Sequence, residues 1–374
     1  MERIATDTYS FERVREGGFV YVDKTAILKT LADGSLGTQF FIARPRRFGK
    51  SLAVSTLQCL FEGRRDLFRG LAIEPDWDWS KTWPVLKLDM GSCQAATVAE
   101  FREYVSSVLR FEADRLGVAF TESTLPSISF RGLIENAAKM SPEGRCVLLV
   151  DEYDKPLLKN LNTPEVIPFR NALKAFYSVV KTLEGRQRFT FLTGISKFSK
   201  VSIFSDLNNL NDMTMERSCA TLFGYTPEEV VKNLPGLLHR FAEANGLTRA
   251  QGLAEIERWY DGYLFHPLAE RVINPVSLGL CLFSCELKNY WSTTAMTTFL
   301  MDALKRRPLN FAKVDVDESV RGTYEPDRAD LTTLLFQTGY LTIKALHVLG
   351  RRRLYTLDFP NAEVEDSFVT QVVP

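Results

Sequence analysis

The chain has 374 residues, 45% apolar and 25% charged, with 46 basic side chains against 46 acidic ones. A net charge of zero argues against a strongly basic nucleic-acid binder, the ordinary apolar content argues against a disordered or fibrous chain, and the length allows two or three compact units. The six cysteines and three histidines show no metal-ligand spacing, and no 18-residue apolar run or signal peptide is visible, so reduced thiols, no zinc site, no membrane span and a cytoplasmic location are expected.

The first informative stretch is Tyr21-Val22-Asp23-Lys24-Thr25, which leads into a short helix with Asp23 as its expected N-cap and Gly34 as its stop. Residues 38–51 follow, TQFFIARPRRFGKS. The β-rich run Phe40 to Ala43 predicts a strand. Leu52, Val54, Leu57, Leu60 and Phe61 predict an amphipathic helix after Ser51. Strand, loop, Gly-Lys-Ser and helix form the setting of a phosphate-binding P-loop, in which backbone N–H groups and a helix N-terminus cradle an anion. Lys50 is then expected to reach the β- and γ-phosphates, and the Ser51 hydroxyl to hold Mg²⁺. The usual pattern places glycine five residues before Gly49, where this chain has Arg44 followed by Pro45. A bare Gly-Lys-Ser is also what a basic helix start on a nucleic-acid or protein surface looks like, so a second motif must decide. Phe19, Tyr21 and Val22 are candidates for the adenine end of such a site, or equally for a hydrophobic anchor on the core.

Three tryptophans, Trp77, Trp79 and Trp83, precede a second expected core strand at residues 84–90, with Asp89 at its end. Helices are expected over residues 97–117 and 128–140. The deciding motif is residues 146–158, CVLLVDEYDKPLL: five apolar residues predict a buried parallel strand, and Asp151-Glu152 at its tip is a Walker B pattern. Asp151 is expected to hold Mg²⁺ and Glu152 to polarise the attacking water. A helix at 165–184 and a strand at 189–192 come next. Ser196 and Lys197, just past that strand, are candidates for sensing the γ-phosphate, since ligands of such sheets lie at the carboxyl ends of the strands; Asn208 and Asn209 are expected near the same edge.

A helical region opens at Thr226-Pro227-Glu228-Glu229, an N-terminal capping signature. It contains the aromatic turn at residues 259–263, and residues 273–283 and 291–304 read as buried helices. Near the end, residues 330–345 and 351–361 fit helix, strand, turn, strand, with Gly350-Arg351-Arg352-Arg353 as an Arg-rich tip. That tip is either a nucleic-acid-binding wing or a solvated hairpin.

Taken together, Tyr21–Thr25, Arg44–Ser51, Leu149–Asp154, Thr193–Lys200 and Trp259–Tyr263 resemble the bacterial AAA-ATPase-like proteins of the P-loop superfamily, related to the STAND and archaeal ATPase groups. The resemblance spans nearly the whole chain and makes Arg44 a feature of the family's own loop. It implies an α/β fold: an ASCE-type P-loop NTPase parallel sheet flanked by helices at residues 1–222, a helical lid at 223–310 and a winged-helix-like region at 311–374. It also implies Mg²⁺-dependent ATP hydrolysis coupled to a conformational or assembly switch. Arg44, Pro45, Arg46, Arg47, Phe48, Gly49, Lys50, Ser51, Leu52, Ser196 and Lys197 would surround the nucleotide, Ser51 and Asp151 would hold the metal, and Glu152, Lys50 and Asp151 would carry catalysis. Arg46 and Arg47 are candidates for an arginine finger acting on a neighbouring subunit of a homo-oligomer. The alternatives are a slow-turnover nucleotide switch and a nucleic-acid-binding module using the wing. Such proteins commonly carry a restriction-endonuclease-like domain after the segment matching Leu357–Val364; the sequence given ends at Pro374, and nuclease activity is not expected of it.

Overall fold

The computed structural model describes residues 2–161, 163–197, 209–291, 313–317, 331–350 and 352–372. The expectations for Phe198–Lys200, Asn208, Arg351 and the helix predicted beyond Trp291 lie outside the described residues.

Five apolar runs make one parallel sheet: β1 (Gln39–Ala43), β2 (Val85–Asp89), β3 (Cys146–Asp151), β4 (Gln187–Gly194) and β5 (Asn211–Asp212), in the order β2-β3-β4-β1-β5. Every residue of β1 and β3 is buried. Strands apolar on both faces require helices on both sides, and these are supplied by α1 (Phe11–Glu16), α2 (Thr25–Ala32), α3 (Lys50–Phe61), α4 (Val98–Leu116), α5 (Pro126–Ala138), α6 (Lys155–Lys159) and α7 (Val166–Thr182). Register aligns the carboxyl ends: Ala43 is paired with Gly194, and Asp89 with Asp151. The loops that leave those ends therefore share one edge of the sheet.

The helix ends follow local chemistry. Thr97 caps α4 by accepting from the Glu100 amide, and Gly117 closes it in a left-handed conformation. α2 stops before Gly34, as expected, but its cap is displaced: Asp23 accepts from the amide and hydroxyl of Thr25, while Lys24 occupies the N-cap position. Thr226 and Glu229 form the predicted capping box of α8 (Pro227–Asn233). That helix, α9 (Pro235–Ala244), α10 (Arg249–Tyr260) and α11 (Pro275–Ser284) enclose their own apolar core of Val230, Leu238, Phe241, Ile256 and Leu282, against which Ile4 and Val20 pack.

The C-terminal stretch holds β6 (Val314–Val316), α12 (Leu331–Thr338), β7 (Thr342–Leu349), β8 (Arg352–Asp358) and α13 (Ala362–Val372). The predicted helix, strand, turn, strand is present, and β6 adds a third strand to the antiparallel order β6-β8-β7. Among the described residues, no helix is long and apolar enough to cross a membrane.

Candidate functional site

Between β1 and α3 the chain turns through Arg44–Gly49. Arg47 and Gly49 both adopt left-handed conformations, at φ 65° and φ 90°. A Cβ on Gly49 would meet nothing within 4 Å, so its backbone angle, not lack of room, calls for glycine. Gly49 is the N-cap of α3 and has no side chain to satisfy the first amides of the helix, so these donors face the loop. The Lys50 ammonium folds back onto the loop and donates to the carbonyls of Arg44 at 2.9 Å and Pro45 at 2.8 Å. Burial pulls its pKa down, against the opposing pull of Glu152 and Asp151.

β3 delivers the carboxylates. Asp151 Oδ1 accepts from the Thr193 hydroxyl at 2.6 Å and from the Glu152 amide at 3.1 Å. Glu152 is left-handed at φ 51°, an uncommon conformation for a side chain of its size. The turn is held there by β4. Tyr153 N–H donates to the Thr193 carbonyl and Tyr153 O–H to the Ser196 carbonyl. Asp154 Oδ2 accepts from the amides of Ile195 and Ser196 and from the Ser196 hydroxyl, at 3.0, 2.7 and 2.6 Å. Burial raises the pKa of Glu152, while Lys50 and Lys155 pull it back.

Both sets of groups line one cavity of about 650 Å³. One end holds Gly49, Lys50, Ser51, Asp89, Asp151, Glu152 and Lys155. The other walls come from outside the sheet: residues 4–9, Val20–Val22, Lys24 and Leu28 before β1, Leu222, Gly224 and Tyr225 after β5, and Pro275 and Val276 at the start of α11. The cavity therefore has an acidic end, where β2 and β3 deliver their carboxylates, and a largely apolar part walled by the segments outside the sheet. Tyr21 and Val22 line the cavity, with the Tyr21 ring also packed edge-on against Phe11, whereas Phe19 packs beneath the Arg3 guanidinium.

Several expected ligand residues are placed elsewhere. Arg44 is buried with its guanidinium turned away from the cavity. It donates to the carbonyls of Ala43, Thr214 and Cys219 and lies 4.1 Å over the Phe265 ring. Three converging carbonyls make a better home for that cation than a loop already occupied by Lys50, although burial still pushes its pKa down to about 10. Pro45 packs on Gly339 and, like Lys197, lines a separate cavity of about 20 Å³. Phe48 does line the large cavity, but its ring is buried edge-on against Tyr263 and Phe265. Ser196 spends its hydroxyl on Asp154, and Lys197 pairs with Asp212 at 2.6 Å, so neither side chain reaches the large cavity. Arg46 and Arg47 do line it, but Arg47 donates to the Tyr290 carbonyl of its own chain. Leu52 lines it beside Ser51.

The sequence reading did not single out Thr193, Lys24 or Lys155, and it left Asp89 unassigned. Strand register carries the signal for two of them: Thr193 lies one residue before the end of β4, and Asp89 pairs with Asp151. Among the described residues, no group of three or more His, Cys, Asp or Glu side chains is arranged to hold a metal ion by itself.

A family model described as predicted AAA-ATPase matches residues 5–204. An uncharacterized protein of the vnfD 5′ region of Azotobacter chroococcum mcd 1 is 38% identical over 367 residues, covering 96% of this chain and 67% of the relative.

Proposed function

This chain belongs to the predicted AAA-ATPase family, and from that footing we propose that it binds MgATP in the large cavity and hydrolyses the terminal phosphoanhydride. The observation that carries the reading is the meeting of the Lys50 ammonium, the open N-terminus of α3 and the carboxylates of Asp151 and Glu152 in one cavity. Lys50 would exchange its two loop carbonyls for β- and γ-phosphate oxygens, with the α3 amides completing the cradle.

The donor set fits Mg²⁺. The Ser51 hydroxyl and Asp151 Oδ2 are oxygen ligands on the cavity wall, and the hydrogen bonds to Asp151 go to Oδ1, which leaves Oδ2 for the ion. When bound, the ion supplies neutralisation of phosphate charge. Thr193 would orient Asp151, and Lys50 would supply its ammonium to the phosphate oxygens. Glu152 takes a proton from water as the water oxygen bonds to the γ-phosphorus and the bond to the β–γ bridging oxygen breaks, leaving ADP and phosphate. A carboxylate raised above its usual pKa is a better acceptor for that proton, and Lys50 and Lys155 oppose the rise.

Phosphate release is the test. Wild type should release phosphate from MgATP, and Glu152→Gln should bind nucleotide but turn over at least about 100-fold more slowly. Equal rates would remove Glu152 from the role. Lys50→Ala should abolish thermal stabilisation by MgATP.

A second reading, a slow-turnover switch, is favoured by the docking of α12. Gln337 Oε1 accepts the Lys197 amide at 2.7 Å, and Gly339 abuts Pro45, so the C-terminal region touches the loop before α3 and the segment after β4 on the side away from the large cavity. A measured turnover number separates switch from working ATPase. The helix and three strands of that region support a winged-helix description, with Arg352 and Arg353 at the tip as phosphate-backbone contacts. Salt-dependent DNA or RNA binding that survives Lys50→Ala is the result that description predicts.

A further inference from the structure

Val20, Val22, Leu28, Tyr225 and Val276 wall the apolar part of the cavity, and Lys24 lines the cavity too, with Glu229, Glu270 and Asp23 as its charged neighbours where Lys50 has Glu152, Asp151 and Asp154. The Lys24 Nζ lies 2.6 Å from both carboxylate oxygens of Glu229. Glu229 Oε2 also accepts the Thr226 amide at 2.9 Å, which fixes the carboxylate to the first turn of α8. An ammonium carries three N–H donors, and Glu229 takes two of them. Among the described residues no other acceptor lies within hydrogen-bond distance of Nζ, and Lys24 lines the cavity.

We propose that Lys24 is a nucleoside-recognition residue: its remaining N–H donates to an acceptor on the ribose or the base of the bound nucleotide, while Glu229 holds the ammonium in position. The inference rests on the MgATP reading above. Two physical points support it. Pairing with Glu229 neutralises the ammonium, so this cation is a poor phosphate ligand and a good donor to a neutral acceptor. Replacing an ion pair held largely out of water, here with Lys24 10% and Glu229 26% exposed, by apolar groups is often neutral or stabilising, so stability alone gives little reason for a lysine in this wall. Lys24 precedes α2 and Glu229 begins α8, so the pair spans the two sides of the nucleoside end.

Calorimetric titration of the full chain tests this with four probes: MgATP, Mg-2′-deoxy-ATP, MgGTP and Mg-tripolyphosphate, which has no nucleoside. The variant is Lys24→Met/Glu229→Gln, which leaves no unpaired charge; Lys24→Arg is the second variant, and thermal melting checks that each folds. The expected result is that Lys24→Met/Glu229→Gln weakens MgATP about tenfold and leaves tripolyphosphate unchanged, as for loss of one charged hydrogen bond. Loss of the preference for ATP over 2′-deoxy-ATP assigns the acceptor to the ribose; a changed ratio of ATP to GTP assigns it to the base. Equal weakening of ATP and tripolyphosphate, or no weakening of either, overturns the proposal. Failure of the MgATP reading looks different: wild type then binds none of the probes, or binding survives Lys50→Ala.

Discussion

At the scale of single residues, the site depends on hydrogen bonds that fix the direction of a charge. Thr193 is fully buried, and its hydroxyl holds Asp151 Oδ1 at 2.6 Å. Removing it leaves Asp151 with only the Glu152 amide at 3.1 Å and frees the carboxylate to rotate. Thr193→Val, nearly isosteric, should therefore keep the fold and raise the Mg²⁺ concentration for half-maximal phosphate release about tenfold, since a hydrogen bond to a charged group is worth about 1.5–3 kcal/mol. A Mg²⁺ titration of the rate reads this directly, and an unchanged midpoint would detach Thr193 from the metal site. This residue also marks how far the sequence could be read. Gly49-Lys50-Ser51 and Asp151-Glu152 are legible because phosphate chemistry demands those residue types in that local order. Apolar residues mark the strand only to Leu192, which points to Ser196 and Lys197 beyond it, whereas β4 runs to Gly194 and includes Thr193. Two residues of strand decide which side chain faces the carboxylate. Arg44 was illegible for another reason: its partners are carbonyls from residues 43, 214 and 219, which no local pattern brings together.

At the scale of elements, the C-terminal pieces matter most, because they reach the loops from behind. Gly339 has φ +91°, and a Cβ there would stand 2.7 Å from Pro45 Cβ. Gly339→Ala therefore combines a left-handed backbone penalty with a clash. It should cost about 2–4 kcal/mol and raise the protease sensitivity of the β7–β8 hairpin before that of the sheet. Helix α13 adds a pH dependence. Glu363 lies in its first turn, fully buried, and its Oε1 accepts the amides of Tyr290 and Trp291. Burial raises its pKa to about 7, against the pull of the Ser277 hydroxyl, of those amides and of Arg47. The folded chain thus holds a proton that the unfolded chain loses near the ordinary value of 4.5. The stability this proton contributes is complete below about 4.5 and is lost as the pH rises through about 7. Glu363→Gln should flatten the melting-temperature profile between pH 5 and pH 8 and melt above wild type at pH 8. A wild-type profile already flat over that range would contradict it. Hydrophobic periodicity and caps made these elements visible in the sequence, but their docking was not, because it rests on one backbone angle and one buried carboxylate.

At the scale of the whole molecule, the cavity belongs to three stretches of chain: the N-terminal segment with α2, the carboxyl edge of the sheet, and the start of α11 with the turn after β5. A ligand that fills it must contact all three, so nucleotide binding should tighten parts of the chain that are far apart in sequence. With MgATP at 100 times its Kd, mass action gives about 2.7 kcal/mol of added stability. Hydrogen exchange should show that gain as slowed exchange at residues 4–9, 20–28, 222–225 and 275–276 as well as at 49–53. Mg-tripolyphosphate, which reaches only the acidic end, should protect 49–53 and leave the other segments as they are. Protection by MgATP confined to 49–53 would mean that the apolar end takes no part in binding and that the helices after β5 are joined to the core for a different reason. Protection of all the walls would make closure of the helical region around the nucleoside part of the binding step, and opening it part of product release.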